Sequence, residues 1–158
     1  MRSASLISIV TSALIAGCGA AAQPASEGLS ETITAFNDSV RWERFETASD
    51  AIPLKERTQF IDDMDERAHE VKITEYDIVR VEPHGQHEAK VQIKMSWYKS
   101  SEGTVHETYA KQTWEQRGKS WMMVEETRVR GAEMPGLAEP VPGASSSVIG
   151  SQGRARSR

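Results

Sequence analysis

Residues 87–97 alternate between apolar and polar side chains with a period of two. One face carries Ala89, Val91, Ile93, Met95 and Trp97, and the other carries Glu88, Lys90, Gln92, Lys94 and Ser96. Successive side chains of a β-strand point to opposite faces, so this pattern predicts a strand with one buried and one wet face. Burial on one side is typical of antiparallel sheets, and the chain must therefore fold around such a sheet.

Three further segments have the composition of strands, and they cover residues 71–82, 104–115 and 120–128. Gly, Pro and Ser mark short turns between the four segments. Because links this short permit only hairpins, the four strands are predicted to form an antiparallel meander. Apolar side chains of residues 76–81 fall on both faces of the first strand, which predicts a bulge or burial on both sides.

Loop lengths predict which residues face each other across the hairpins. A four-residue loop in the second hairpin places Met95 opposite Thr108. Closing the third hairpin around residues 117–118 places Trp114 opposite Trp121 and Gln112 opposite Met123. The predicted inner face of the third strand then carries His106, Thr108, Ala110, Gln112 and Trp114.

The part of the chain before the strands has the apolar spacing of helices. Ser30 is a suitable N-cap, and the pattern that follows it ends at Pro53 with an expected bend near residues 41–43. A further helix is predicted over residues 54–69, with its acidic side chains directed outward. Two or three helices followed by a curved four-stranded meander constitute an α+β roll.

The N-terminus has the layout of a secretory signal, with Arg2 followed by an apolar stretch that is too short to span a bilayer. Ile15, Ala16 and Gly17 then precede Cys18, the one cysteine of the chain. This segment resembles the lipobox of bacterial lipoproteins. The resemblance implies cleavage before Cys18 and attachment of lipid to its thiol, which anchors the protein to a membrane.

The same resemblance concerns the residue after the cysteine, which is aspartate in lipoproteins that are retained at the inner membrane. This chain has Gly19 at that position. This favours an outer-membrane location facing the periplasm. The alternative is a secreted protein, because residues 20–22 also satisfy the rule for ordinary signal peptidase and Cys18 would then be removed.

Composition divides the chain into four parts. We expect a signal peptide over residues 1–17, a flexible tether over 18–29 and one α+β domain over 30–130. Residues 131–158 are rich in Gly, Pro and Ser and contain no aromatic residue, which predicts a disordered tail.

The sequence excludes several classes of protein. A formal net charge of -4 argues against a nucleic-acid partner. A single cysteine excludes an internal disulfide, and no nucleotide-binding motif is present. His84 and His87 flank a turn without further ligands, so we expect neither a metal nor another cofactor.

The segment RWERFETA at residues 41–48 resembles the short second helix of the nuclear-transport-factor-2-like (NTF2-like) superfamily, which has a cystatin-like outline. The segment ETYAKQTW at residues 107–114, followed by GKSW at residues 118–121, resembles the last hairpin of small envelope lipoproteins of this fold. The resemblance covers about residues 30–130 and implies a cone-shaped cavity between helices and sheet. Such a fold hosts both enzymes and binding modules.

Enzymes of this superfamily carry Asp, His or Tyr in the cone. In this chain the candidate cone-lining residues are His106, Thr108, Gln112 and Glu125, with Tyr76 as a further candidate. A general base needs a partner and a tuned pKa, and the sequence pairs none of these residues. The four tryptophans, Trp42, Trp97, Trp114 and Trp121, are predicted to pack in the core or the cone wall.

The sequence therefore favours a lipid-anchored envelope lipoprotein with a non-catalytic module that binds an envelope protein or an apolar ligand. The alternative is a small-molecule-binding cone or an enzyme of the isomerase or dehydratase type. The two hypotheses differ in what the inner face around His106, Gln112 and Glu125 contains.

Overall fold

The computed structural model describes residues 25–140 of the 158-residue chain. Three helices come first, α1 (Ala25–Arg41), α2 (Phe45–Ser49) and α3 (Arg57–Glu70). Four strands follow, β1 (Val71–His84), β2 (Glu88–Lys99), β3 (Val105–Arg117) and β4 (Ser120–Gly131). The strands form one antiparallel sheet in the order β1-β2-β3-β4, so the predicted α+β order and meander are confirmed. The predicted signal peptide and Cys18 lie outside the described residues.

The alternation in β2 divides the core from the solvent as predicted. Ala89, Val91 and Ile93 are completely buried under the helices, and Met95 and Trp97 are nearly so. The polar residues between them are half-buried on the outer face. The same face of β3 is buried from Thr108 to Trp114 at every second residue. The apolar residues of α1 complete this core, with Leu29, Ile33 and Phe36 buried.

The predicted register of the second hairpin is confirmed, since Met95 pairs with Thr108. The predicted register of the third hairpin is wrong. Its turn lies one residue later, with Gly118 at a φ of +66°, and a bulge between Thr113 and Trp114 shifts the pairing further. As a result, Trp114 pairs with Met123, and Gln112 pairs with Glu126.

Strand β1 contains two bulges, between Ile73 and Glu75 and between Ile78 and Arg80, which confirms the prediction of an irregular first strand. The second bulge leaves Val79 about half exposed at the sheet edge. Bulges protect an edge strand from pairing with other chains because they interrupt its regular row of hydrogen-bonding groups.

The helices differ from the sequence prediction at their ends. Helix α1 begins at Ala25, inside the segment expected to be tether, and its early residue Leu29 is buried. The expected interruption near residues 41–43 is present, because Glu43 adopts a φ of 54° and separates α1 from α2. Helix α3 begins at Arg57 rather than at residue 54. Within the described residues, no helix has the length and apolar character required of a membrane span.

Trp42 is not a core residue. Its side chain is 63% exposed in the turn after α1, where the Arg41 guanidinium lies 5.1 Å from the ring centroid. Trp42 lies in the turn that separates α1 from α2, and a local apolar spacing could not reveal that the helix ends before it. The other three tryptophans are buried.

Residues 131–140 differ from the predicted disordered tail. Met134 is 1% exposed and Leu137 is 8% exposed, and both belong to the core cluster. The backbone of Ala138 forms a parallel bridge with Thr127 of β4. Two buried apolar side chains and one bridge hold this Gly- and Pro-rich segment against the fold. Residues 141–158 lie outside the described part of the chain.

We expect Ile93→Asp to unfold the domain, because an unpaired charge at a completely buried position costs about 3–5 kcal/mol. The matched control is Gln92→Asp, on the outer face between Arg80 and Lys111, where a carboxylate meets two cations. Urea denaturation followed by circular dichroism measures both variants. Equal loss of stability at positions 92 and 93 would contradict the assignment of the buried face.

Candidate functional site

The four predicted cone-lining residues do not form one site. Thr108 and Gln112 are completely buried on the inner face of β3. His106 is half-buried near the start of β3, where its ring stacks on Trp97 with 4.8 Å between ring centroids. Its Nε2 atom lies 3.7 Å from Oε2 of Glu102, a residue of the β2–β3 loop. His106 is therefore engaged at the rim of the sheet rather than in the interior.

Glu125 is exposed on the outer face of the sheet, so its assignment to the cone is wrong. The hydroxyl of Thr113, an outer-face residue, donates a hydrogen bond of 3.3 Å to its carboxylate. The bulge in the third hairpin causes this change, since it moves the inward direction from Glu125 to Glu126.

Both hydrogen-bonding functions of the Thr108 hydroxyl are occupied. It accepts a hydrogen bond of 2.8 Å from Nε1 of Trp97 and donates one of 2.6 Å to the carbonyl oxygen of Ala132. This chain of bonds joins β2, β3 and the segment after β4. A hydroxyl with both functions engaged inside the fold is a structural link.

The Gln112 side chain connects the sheet to helix α1. Its Nε2 atom donates to Oδ1 of Asn37 at 2.9 Å and to Oε1 of Glu126 at 2.8 Å. Its Oε1 atom accepts from Nε1 of Trp114 at 3.2 Å. Asn37 in turn donates to the carbonyl oxygen of Ile33 at 2.8 Å. No buried side-chain nitrogen or oxygen of the described residues lacks a hydrogen-bond partner.

Arg67 and Asn37 are interior polar residues that the sequence analysis missed. Arg67 is 8% exposed, and burial lowers the pKa of its guanidinium while the charge of Glu126 opposes that shift. Its Nη2 atom lies 2.8 Å from the sulfur of Met64. The sequence does contain one indication that Arg67 is interior, since it follows Phe60 and Met64 at helical spacing on one face of α3.

Tyr76 lies on β1 at the margin of the helical layer. Its hydroxyl donates a hydrogen bond of 3.3 Å to the carbonyl oxygen of Thr34 in α1. Burial raises the pKa of Tyr76, and the nearby Asp38 carboxylate raises it further. Tyr76 therefore stays protonated and contacts the α1 backbone.

A cleft of about 570 Å³ lies between α1, α2 and the β3–β4 turn, and we call it the turn cleft. Phe36 and Trp121 form part of its lining and are almost buried, while charged and hydroxyl groups surround them. The polar lining includes Glu31, Thr32, Thr47, Asp50, Lys119 and Ser120. Small-molecule and peptide sites commonly have this volume. None of the predicted cone-lining residues lines it.

The turn cleft was not predictable because its walls come from distant parts of the chain. A backbone hydrogen bond of 2.8 Å from Met123 to Ala51 fixes the start of β4 against the loop after α2. Phe36 packs edge-to-face on Trp114, with ring centroids 5.5 Å apart, and so holds α1 against the sheet. The cleft lies between these two contacts.

Among the described residues, no three His, Cys, Asp or Glu side chains converge in a way that could hold a metal ion. Nδ1 of His87 lies 3.0 Å from Oε1 of Gln116, across the turn from His84. The acidic side chains Asp62, Asp63, Asp65 and Glu66 are exposed along α3.

No family model and no curated protein matches the chain. Among solved structures, the chain is similar to a SEC-C motif-containing protein from Rhodopseudomonas palustris, with a TM-score of 0.55 and 11% identity, over 67% of this chain and 89% of that one. It is also similar to a ketosteroid isomerase-like protein from Erwinia carotovora atroseptica, with a TM-score of 0.54 and 9% identity, over 66% and 95% of the two chains. The fold is an NTF2-like α+β roll. At these identities the likeness shows the fold alone.

We expect Gln112→Leu to destabilise the domain by about 2–4 kcal/mol, because it removes the hydrogen bonds to Asn37, Glu126 and Trp114 at a buried position. Gln116→Leu, a half-buried residue of the same strand, is the control and should change stability by less than about 1 kcal/mol. A similar loss for both variants in urea denaturation would show that the buried amide has no special role.

Proposed function

We propose that this chain is a lipid-anchored lipoprotein of the bacterial envelope, and that its NTF2-like domain binds an envelope protein through the turn cleft without catalysing a reaction. The observation that carries this proposal is which polar side chains already have hydrogen-bond partners within the domain and which face solvent. The interior groups are bonded to one another, whereas the charged and hydroxyl groups around the turn cleft face solvent.

The arrangement of the candidate catalytic residues favours binding over catalysis. A general base must reach its substrate, and a partner must tune its pKa. His106 is stacked on Trp97, Gln112 is held by three side chains, and Glu125 is on the other face of the sheet. In the described part of the chain, the carboxylate within ion-pair distance of His106 is that of Glu102, which lies in a loop and not in the interior.

The chemistry of the turn cleft suits a protein partner. Protein interfaces combine a small apolar centre with a polar rim. Here Phe36 and Trp121 supply the apolar centre, and Glu31, Asp50 and Lys119 supply charges of both signs. Asp50 is partly engaged, because Arg57 lies 3.7 Å from its carboxylate, whereas Glu31 and Lys119 have no ion pair within the described residues.

The anchor and the cleft are close in sequence. Gly28 of α1 lines the cleft, and the chain from Cys18 to Ala25, where α1 begins, spans at most about 25 Å when fully extended. A lipid at Cys18 therefore holds the cleft near the membrane surface, and we propose an outer-membrane location facing the periplasm. The partner would be a protein of that compartment or membrane.

Lipid attachment is tested at Cys18. We expect Cys18→Ala to abolish labelling by a fatty-acid analogue in cells and to leave an uncleaved precursor, because the thiol that accepts the lipid is missing. Gel mobility and metabolic labelling measure the two effects. Unchanged maturation of the variant would mean ordinary secretion instead.

Binding at the turn cleft is tested with a photo-crosslinking amino acid at Lys119, and at Lys111 on the outer face of the sheet as control. Both side chains are accessible, so a specific partner should crosslink from position 119 and not from position 111. Identical crosslinks at both positions would contradict the proposal. A small molecule bound to the purified protein in native mass spectrometry, with no crosslinked protein, would favour the small-molecule alternative.

A further inference from the structure

The segment after β4 is bound by the rest of the domain in the manner of a docked peptide. We call residues 131–139 the strap. Its side chains Met134 and Leu137 enter the core cluster and are 1% and 8% exposed. A backbone hydrogen bond of 3.1 Å from Leu137 to Met134 forms a turn that directs both side chains inward.

The floor of the strap groove contains Arg67. The aliphatic part of the Arg67 side chain lies against Gly136, where an added Cβ atom would be 3.0 Å from Cδ. Gly136 also has a φ of +74°, a backbone conformation that favours glycine. The strap thereby covers the aliphatic part of Arg67, the buried residue whose opposing charge is Glu126.

Arg128 of β4 clamps both ends of the strap. Its Nη1 atom donates to the carbonyl oxygen of Gly131 at 3.1 Å. Its Nε and Nη2 atoms donate to the Glu139 carboxylate at 2.7 Å and 2.5 Å, which is the bidentate geometry that favours arginine. This pairing lowers the pKa of the Glu139 carboxyl. The backbone N–H of Arg128 also donates to Ala138 at 2.8 Å.

Few backbone hydrogen bonds attach the strap to the sheet. Ala132 donates to Glu107 at 2.8 Å, and Ala138 accepts the bond from Arg128. The hydroxyl of Thr108 donates one further bond, to Ala132. Residues 132–139 of the strap can therefore leave the groove without breaking a β-ladder, while Gly131 stays paired with Thr108 at the end of β4. Gly131 has a φ of +91°, and an added Cβ would overlap the backbone oxygen of Glu107, so this glycine fixes the point at which the chain turns away from β4.

Apolar anchors, a short parallel pairing and a clamped carboxylate are interactions by which proteins bind peptide segments of other chains. We propose that the strap is an intramolecular ligand, and that a partner segment of the same chemistry displaces it from the groove between α3, β3 and β4. That chemistry is two apolar side chains three residues apart, followed two residues later by a carboxylate. The inference is independent of the turn cleft, which shares no lining residue with the groove.

The strap and an external peptide compete for the same groove, and this competition determines the affinity of the peptide for the protein. A segment tethered beside its groove acts at an effective concentration in the millimolar range or above. An external peptide therefore binds the native protein weakly and binds a protein with a loosened strap more tightly. The difference between the two affinities is the quantity to measure.

The probe is a fluorescein-labelled peptide with the sequence of residues 131–140. It is titrated, with fluorescence anisotropy as the readout, against the protein without its lipid, which keeps the whole domain and the C-terminal tail. The variant with a loosened strap combines Met134→Ala with Glu139→Gln. The matched control combines Met122→Ala, at a half-buried position, with Glu133→Gln, at an exposed position. We expect at least tenfold tighter binding to the loosened strap than to the native protein or the control. A peptide with Asp in place of Met134 should not bind.

Equal affinity for the loosened and native proteins, or no binding to a loosened protein that keeps its native circular dichroism, would overturn the proposal. A concentration-dependent dimer of the loosened protein would mean that the strap of a second copy is the occupant, and would overturn the assignment to a foreign partner.

Hydrogen exchange of the native protein decides the question if the loosened protein does not fold. The amides of Ala132 and Leu137 should exchange at least tenfold faster than those of Val91 and Ile93, because the strap opens without global unfolding. Equal protection of the two groups would overturn the proposal.

Discussion

The buried amide of Gln112 is the contact on which the two layers of this protein depend. It bonds at once to Asn37 on α1, to Trp114 on its own strand and to Glu126 on β4. Burying an amide without partners costs several kcal/mol, so these partners must stay in place for the fold to be stable. The position of α1 and the register of β4 are therefore linked through one side chain. Because these groups are already hydrogen-bonded to one another, they do not bind or react with a ligand as the polar groups of an open cone would.

The parts of the fold that follow from local periodicity were predictable from the sequence. The alternation of β2 fixes its buried face, because a shift of one residue would expose Ile93 and bury Lys94. The second hairpin follows from its loop length, and the α+β order follows from the change of period after α3. These features depend on residues within a few positions of each other.

The remaining features depend on contacts between distant residues. The bulge at Thr113 and Trp114 has no local sequence signal, and it moved the inward carboxylate from Glu125 to Glu126. The burial of Met134 and Leu137 depends on a groove formed by other elements, whereas local composition alone predicts disorder there. The candidate site was even less predictable from the sequence than these features. Thr108 and Gln112 were correctly placed on the inner face, but the walls of the turn cleft come from three separate segments.

The interior network lies between the two proposed binding surfaces. Asn37 belongs to α1, whose residues Thr32 and Phe36 line the turn cleft. Glu126, at the other end of the network, is the charge that opposes the desolvation of Arg67, and the strap covers Arg67. Contiguity of this kind does not by itself couple two sites; coupling requires that each ligand interact differently with two states of the element between them. Departure of the strap would supply such a difference, because water would reach Arg67 and weaken its attraction to Glu126. The carboxylate of Glu126 is also an acceptor of Gln112, so the change would act on the hydrogen bonds that hold α1.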